Sequence, residues 1–253
     1  MTGLIGATGF VGSALQRQAQ FDRHYSSSNI EQARGQRFDL LVCAAPSSGK
    51  WLANSDPQSD LASLEKLLSV LGSVTISRFV LISTIDVYPF AVGVDEDTEI
   101  DEAVLLPYGL HRRRLERHVA AAFERSLIVR LPAVFGRGLR KNVIFDLLHR
   151  DLRFVNPASV LQFYDIKRLW ADLQVALDND LSILNLAVEP LPVGAIASSI
   201  FNIDVPPSPG PAGQYDMLSR HSRFFGRQGS YLVDAAGVIE GLTTFRRHEI
   251  EGH

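Results

Sequence analysis

Gly6-Ala7-Thr8-Gly9-Phe10-Val11-Gly12 stands directly behind the short apolar run Leu4-Ile5. No other feature limits the fold so strongly. A G-x-x-G-x-x-G between a strand and a helix is a phosphate cradle. Glycine lets the backbone turn sharply and approach a pyrophosphate, and the helix N-terminus aims unpaired N–H groups at the negative charge. Ser13-Ala14-Leu15-Gln16-Arg17-Gln18 supplies the helix that should follow. The plainer alternative, an ordinary strand-to-helix turn, is disfavoured by this strand–loop–helix context. Gly6, Thr8, Gly9, Phe10 and Val11 are the residues expected to hold the pyrophosphate.

The rest of the chain extends the same architecture. Phe38 to Ala45 forms a buried strand ended by Pro46-Ser47-Ser48-Gly49, Phe79 to Thr84 a second, and Leu127 to Leu131 a third, stopped by Pro132. Asp56-Pro57 caps and opens a helix through Leu61, Leu64, Leu67, Leu68 and Leu71. An acidic loop from Asp95 to Glu102 precedes a helix from about Tyr108 to Phe123. Continuous apolar strands separated by helices imply a parallel sheet covered on both faces, and right-handed crossovers make it doubly wound. The expected fold class is therefore α/β: a doubly wound parallel sheet of the Rossmann type, with a small C-terminal substrate lobe. Residues 1–136 should form the dinucleotide-binding domain. A helix from Ile166 to Leu177 and a strand from Ser182 to Leu186 return 165–187 to it. Residues 137–164 and 188–253 make the lobe, crossed by the stiff connection Val205 to Pro211.

Composition removes several alternatives. The chain has 253 residues, 46% hydrophobic and 21% charged, enough apolar surface for a large core. A net charge of −3 gives no electrostatic reason for a nucleic-acid partner. Cys43 is the only cysteine, so no intrachain disulfide forms, and a reducing, cytoplasmic setting is expected. Within its apolar run it should be a small buried hydrophobe rather than a catalytic thiol. No stretch is long enough to span a bilayer and no signal-peptide pattern is present. The expected partner is a small-molecule substrate, with no membrane, nucleic-acid or metal partner; a homodimer is left open.

In doubly wound sheets ligands bind outside the carboxyl ends of the strands. Three groups fall there: Ser83-Thr84-Ile85-Asp86-Val87-Tyr88, Pro107-Tyr108-Gly109-Leu110-His111-Arg112, and Arg130-Leu131-Pro132-Ala133-Val134-Phe135-Gly136. Together with the glycine signature, with Val42-Cys43-Ala44-Ala45, and with Phe163-Tyr164-Asp165-Ile166 and Ile183-Leu184-Asn185-Leu186, this pattern resembles the short-chain dehydrogenase/reductase superfamily, specifically its extended epimerase/dehydratase branch. The resemblance covers about residues 1–190 in the right order.

The resemblance implies a hydride-transfer site using NAD(P). Tyr108 would be the general acid/base for a hydroxyl or carbonyl, and Thr84 would bond the same oxygen. Ala44, Ala45, Ser83 and Pro132 would line the nucleotide. A free tyrosine titrates near pKa about 10, so it works near neutrality only beside a cation. The family places a lysine four residues on; Arg112 stands there instead. Four residues is the same helical face, so Arg112 can support the phenolate and bond the ribose, though its planar fork is bulkier. His111 lies near that face as a proton relay. Arg113 and Arg114 are expected to be the solvated side of the helix. Asp86 matches one of the two acidic residues that the family's dehydratases use for water elimination; Ile85 fills the other position, which counts against a full dehydratase mechanism. Its plainer role is a strand-end cap.

Where NAD-binding sheets carry an acidic residue, about 20 residues past the glycines, this chain has Tyr25-Ser26-Ser27-Ser28-Asn29. Ser26, Ser27 and Ser28 offer hydroxyls and no carboxylate to repel a 2′-phosphate, which favours NADP slightly over NAD. Lys50 and Trp51, on the loop after the third strand, with Asp86, Arg137 and Asn142, are the candidates for the substrate; Trp51 equally suits lobe packing, and Arg137 with Arg140 and Lys141 equally suits a solvated basic loop. The functional expectation is an oxidoreductase or epimerase acting on a hydroxyl or keto group of a sugar-like substrate. The alternative is a non-catalytic NAD(P)-binding regulator or scaffold that kept the fold, a reading favoured by the missing lysine.

Overall fold

The apolar run ahead of the glycine loop forms β1 (Thr2–Ile5), with Leu4 and Ile5 buried. In this computed structural model, which describes residues 1–46 and 49–251, β1 lies inside a six-stranded sheet. Ser47 and Ser48, expected in the turn after the third strand, lie outside the described residues. The other strands are β2 (Arg23–Tyr25), β3 (Arg37–Cys43), β4 (Thr75–Thr84), β5 (Ser126–Leu131) and β6 (Ile183–Asn185). Their order is β6-β5-β4-β3-β1-β2, all parallel. Ile5 is paired with Tyr25 on one side and Cys43 on the other. The chain runs from β1 out to β2, then crosses to β3 on β1's other side. The order therefore reverses between β1 and β3, the switch point where such sheets open a ligand crevice. The expected doubly wound α/β sheet is the observed fold.

Between these strands the chain forms the helices α1 (Phe10–Gln18), α2 (Lys50–Ser55), α3 (Pro57–Leu71), α4 (Pro107–Ala122) and α5 (Leu169–Asp178). Asp56 caps α3 as expected, its carboxylate accepting the Ser59 N–H at 3.2 Å, with Pro57 in the first position. Leu64, Leu67 and Leu71 of α3 and Leu115 and Val119 of α4 pack with Ile5, Leu41, Cys43, Phe79 and Leu81 in one core cluster. Each buried leucine contributes about 1.5–3 kcal/mol of transfer free energy.

Two expectations need correction. Lys50 and Trp51 are not on a loop; they open α2, a six-residue helix that buries only Ala53. Trp51 is 81% exposed. The helix expected from Ile166 begins as a 3₁₀ turn over Ile166–Arg168, capped by the Asp165 carboxylate, before α5 starts.

By contact density the chain falls into two units. The first comprises Met1–Pro89, Thr98–Arg130 and Trp170–Leu184. The second comprises Phe90–Asp97, Leu131–Leu169 and Asn185–His253. Inside the second, Ala133–Phe135 pairs in parallel with Phe163–Asp165. There the Glu96 carboxylate is buried but satisfied, accepting from the Asn185 N–H at 2.8 Å, the Ser219 hydroxyl at 2.6 Å and the Arg220 N–H at 3.0 Å. No helix among the described residues is long and apolar enough to cross a membrane.

Cys43 ends β3 with no exposed surface, and burial pushes its thiol up to about 12. A thiol so raised is inert at neutral pH. Ellman's reagent is expected to leave the native protein unlabelled and to titrate its single thiol after denaturation; rapid labelling of the native chain would show that β3 opens.

Candidate functional site

The glycine loop closes the switch point. Gly6 has φ +82°, and a Cβ there would sit 2.6 Å from the Ala44 carbonyl that follows β3. A Cβ on Gly12 would lie 2.1 Å from the Gly6 carbonyl, so α1 can approach β1 only without a side chain. The N–H groups of Gly6 and Ala7 donate to the Tyr25 carbonyl at 2.9 and 3.0 Å, tying the loop to β2. Gln16 Nε2 holds the Ala7 carbonyl at 2.6 Å. Gly9 is the N-cap of α1 and is exposed, as is Thr8. The first bond of the helix runs from the Ser13 N–H to the Gly9 carbonyl at 2.8 Å, leaving the Phe10 and Val11 N–H groups ahead of any intrahelical acceptor. A bare N-cap, a glycine-lined approach and a helix dipole fit a pyrophosphate.

The second group lies where β4 ends. The chain turns in a 3₁₀ turn over Ile85–Val87, capped by Thr84, whose hydroxyl oxygen accepts the Asp86 N–H at 3.2 Å. The same hydroxyl donates to Asp86 Oδ2 at 3.3 Å, and Lys50 Nζ donates to Asp86 Oδ1 at 2.6 Å. Helix α4 packs directly on this turn: a Cβ on Gly109 would lie 2.2 Å from the Asp86 carbonyl. Asn54, at the end of α2, caps α4 from outside by accepting the Tyr108 N–H at 2.9 Å. These contacts bring Tyr108, Thr84, Asp86 and Lys50 together. Burial pushes the Tyr108 phenol above its ordinary value, and the Asp86 carboxylate adds to the rise. The Arg112 charge, the hydrogen bond with Thr84 and the Lys50 charge pull the other way.

Arg112 is buried and its fork is engaged. Its two terminal nitrogens donate to both oxygens of Asp60 at 2.9 and 3.0 Å, and its guanidinium carbon sits 4.5 Å from the centre of the Tyr108 ring. The cation thus faces the phenol ring and is paired to a carboxylate on α3. His111 Nδ1 shares that carboxylate at 2.7 Å. Burial alone would raise Asp60, but Arg112 and His111 hold it below the ordinary carboxylate range. No local motif marks Asp60, which stands 52 residues from Arg112 in the chain.

Glu116 and Arg130 form a second buried cluster; Arg130 opens the third strand-end group, while no motif marks Glu116. Glu116 accepts from Arg130 Nε at 3.0 Å and Nη2 at 2.8 Å, from the Ser83 hydroxyl at 2.5 Å and from Arg113 at 3.1 Å. Arg130 also donates to the Tyr88 hydroxyl at 2.6 Å. The hydroxyl of Ser83, a residue expected to line the nucleotide, donates to Glu116. Arg113 is not simply a solvated residue, being paired with Glu116 and with Glu102 at 3.4 Å; Arg114 is exposed as expected.

After β2, the Ser26 N–H and hydroxyl bond Asn29, and Ser26 and Ser28 share a hydroxyl contact at 2.8 Å. In the second unit, Asn142 is a helix cap: its amide oxygen accepts from Ile144 and Phe145 and its nitrogen donates to the Val134 carbonyl at 2.8 Å. Arg137 is exposed and Pro132 buried. Among the described residues no cluster of metal-ligating side chains is present.

No protein-family model and no curated protein matches the sequence. Solved structures do. A structure of MoeE5 with UDP-glucuronic acid and NAD superposes with a TM-score of 0.77 at 17% identity, covering 100% of this chain and 99% of that one. The UDP-glucose 4-epimerase of Thermotoga maritima gives 0.73 at 14% identity, with the same coverage of 100% and 99%. The dTDP-4-dehydrorhamnose reductase of Bacillus anthracis, in complex with NADP, gives 0.73 at 15% identity over 100% and 99%. Likeness at these identities establishes the fold alone: the chain shares the doubly wound α/β architecture of these three proteins.

Proposed function

We propose that this chain is an NAD(P)-dependent enzyme that oxidises, reduces or epimerises at a hydroxyl or keto carbon of a sugar-like, nucleotide-linked substrate. One observation carries the reading: Thr84 and Tyr108 meet within the unit that holds the glycine cradle, at the carboxyl ends of parallel strands. The structural neighbours named above, bound to nucleotide sugars, NAD or NADP, support the substrate class.

The nicotinamide, when bound, accepts or supplies a hydride. Gly6, Thr8, Gly9, Phe10 and Val11 hold the pyrophosphate, while Ala44, Ala45 and Pro132 are assigned to its flanks. Thr84 bonds the reacting oxygen and Tyr108 gives or takes its proton. Arg112, fixed by Asp60, sets its charge against the Tyr108 ring and so opposes the effect of burial on the phenol. Arg137 is assigned to the substrate diphosphate. The nucleotide is NADP(H) in preference to NAD(H), because β2 ends at Tyr25 and the next four residues, Ser26 to Asn29, carry no carboxylate. The rival reading, a non-catalytic nucleotide-binding regulator, draws on the pairing of Arg112 with Asp60 where the family uses a free lysine.

Fluorescence titration with NADPH and NADH, followed by turnover assays on UDP- and dTDP-hexoses and their keto forms, tests this assignment. NADPH is expected to bind more tightly and at least one sugar nucleotide to turn over. Tight binding of reduced nucleotide with no turnover across the panel would favour the regulator.

A further inference from the structure

Lys50 has no counterpart among the motifs that carry the resemblance, yet its ammonium lies on Asp86 at 2.6 Å. Its side chain is 45% exposed, whereas Asp86 is 20% exposed and Tyr108 is buried. From solvent inward the groups therefore follow in order: Lys50, then Asp86, then the Thr84 hydroxyl at 3.3 Å from Asp86, then the Tyr108 phenol, to which Thr84 is hydrogen-bonded. Lys50 is hydrogen-bonded to Asp86 and Asp86 to Thr84, and the Thr84 hydroxyl lies against the phenol. Arg112, the other cation near the phenol, is closed off by its two bonds to Asp60, which His111 also occupies. An arginine cannot release a proton in any case, whereas an ammonium can.

We propose that Lys50, Asp86 and Thr84 form a proton path that reprotonates Tyr108 from solvent, with Lys50 as its outer end. The inference rests on Tyr108 being the acid/base of the reaction. Once Tyr108 has given its proton to a substrate oxygen, the Thr84 hydroxyl turns and donates its proton to the phenolate. Thr84 takes a proton through the Asp86 carboxyl group, and Asp86 takes one from the Lys50 ammonium. The neutral amine then takes one from water, so one proton crosses from solvent to the phenol and every other group returns to its starting state. A tyrosine connected in this way suits a reaction with net proton uptake, the reduction of a keto sugar. Epimerisation returns the same proton to the substrate and needs no such path. Lys50 and Asp86 are thus positioning residues that act through Thr84.

The test needs neither nucleotide nor substrate, so its outcome is separate from that of the functional proposal. Protein labelled with carbon-13 at tyrosine Cζ reports hydroxyl exchange in mixed light and heavy water, and the Tyr108→Phe variant identifies the Tyr108 signal. Its chemical shift against pH gives the ionisation midpoint of the phenol. In Lys50→Gln the midpoint should rise, because a cation is lost and Asp86 is left unopposed. Hydroxyl exchange should slow on the order of a hundredfold, the scale of one acid–base partner. Lys50→Arg is the decisive variant: it keeps the charge, so the midpoint should stay near that of the parent, but it cannot release a proton, so exchange should remain slow. Exchange in Lys50→Arg as fast as in the parent would overturn the path and leave Lys50 as a counter-ion only. Unchanged exchange in Lys50→Gln would overturn it as well.

Discussion

Glu116→Ala is expected to lower the unfolding free energy by about 3–5 kcal/mol, the cost of breaking a buried ion pair by removing one partner. Glu116 and Arg130 are respectively 0% and 1% exposed, so the arginine left behind would have no solvent to turn to. The same change also strips Ser83 of its acceptor. An unsatisfied buried donor costs a further 1–3 kcal/mol or so, although the two losses share one site and will not simply add. Glu116→Gln keeps the shape and one acceptor oxygen and should cost less. Urea unfolding followed by circular dichroism measures both. A loss below about 1 kcal/mol in Glu116→Ala, the range of an exposed pair, would mean that the cluster is open to water. The consequence reaches the site, because Ser83 precedes Thr84 on β4 and Tyr88 follows the turn that carries Asp86. The Glu116–Arg130 pair holds both ends of that turn.

Tyr108→Phe should abolish turnover, by a factor on the order of a hundred to ten thousand, while leaving nucleotide affinity nearly intact. The ring still fills its place beside Arg112, and only the hydroxyl to which proton transfer is assigned is lost. Because burial raises the phenol above its ordinary value of about 10, Tyr108 stays protonated through the neutral range. Activity in the reducing direction should therefore be insensitive to this group near neutrality and fall as pH rises through the phenol's raised value. The oxidising direction, which needs the phenolate, should gain over the same interval. Retention of turnover by Tyr108→Phe would remove the residue from the chemistry.

The parts of this structure that were legible in the sequence are those set by local pattern. β1, β3, β4 and β5 are runs of apolar residues, Asp56-Pro57 opens α3, and the spacing of the glycines matches a loop whose geometry admits no Cβ at Gly6 or Gly12. The short helix α2 was not legible, because six residues with Trp51 and Leu52 facing outward carry no amphipathic signal. The partners of the site residues were not legible either. The four-residue spacing puts Arg112 on the face of Tyr108, but nothing local reveals that Asp60, 52 residues away, accepts both ends of its fork. Lys50 and Asp86 meet across 36 residues, and Glu116 meets Ser83 across 33. Such pairs are products of the sheet order, and only the fold brings them together. The capping role of Asn142, whose amide oxygen starts a helix, was not legible either.

The central claim is that the glycine loop holds a dinucleotide pyrophosphate, and Gly9→Asp tests it most directly. Gly9 has the extended φ of −75° usual at an N-cap, and a Cβ there would meet only the Gly6 carbonyl at 3.3 Å. An aspartate can therefore cap α1 through its own carboxylate and should leave stability unchanged or raised by a few tenths of a kcal/mol. The same carboxylate would occupy the anion site and repel the phosphates. Fluorescence titration of NADPH against the parent and Gly9→Asp should show saturable binding to the first and none to the second, with matching thermal unfolding of the two proteins. Equal affinity in both, or no binding of NADPH or NADH to the parent below millimolar concentration, would contradict the claim.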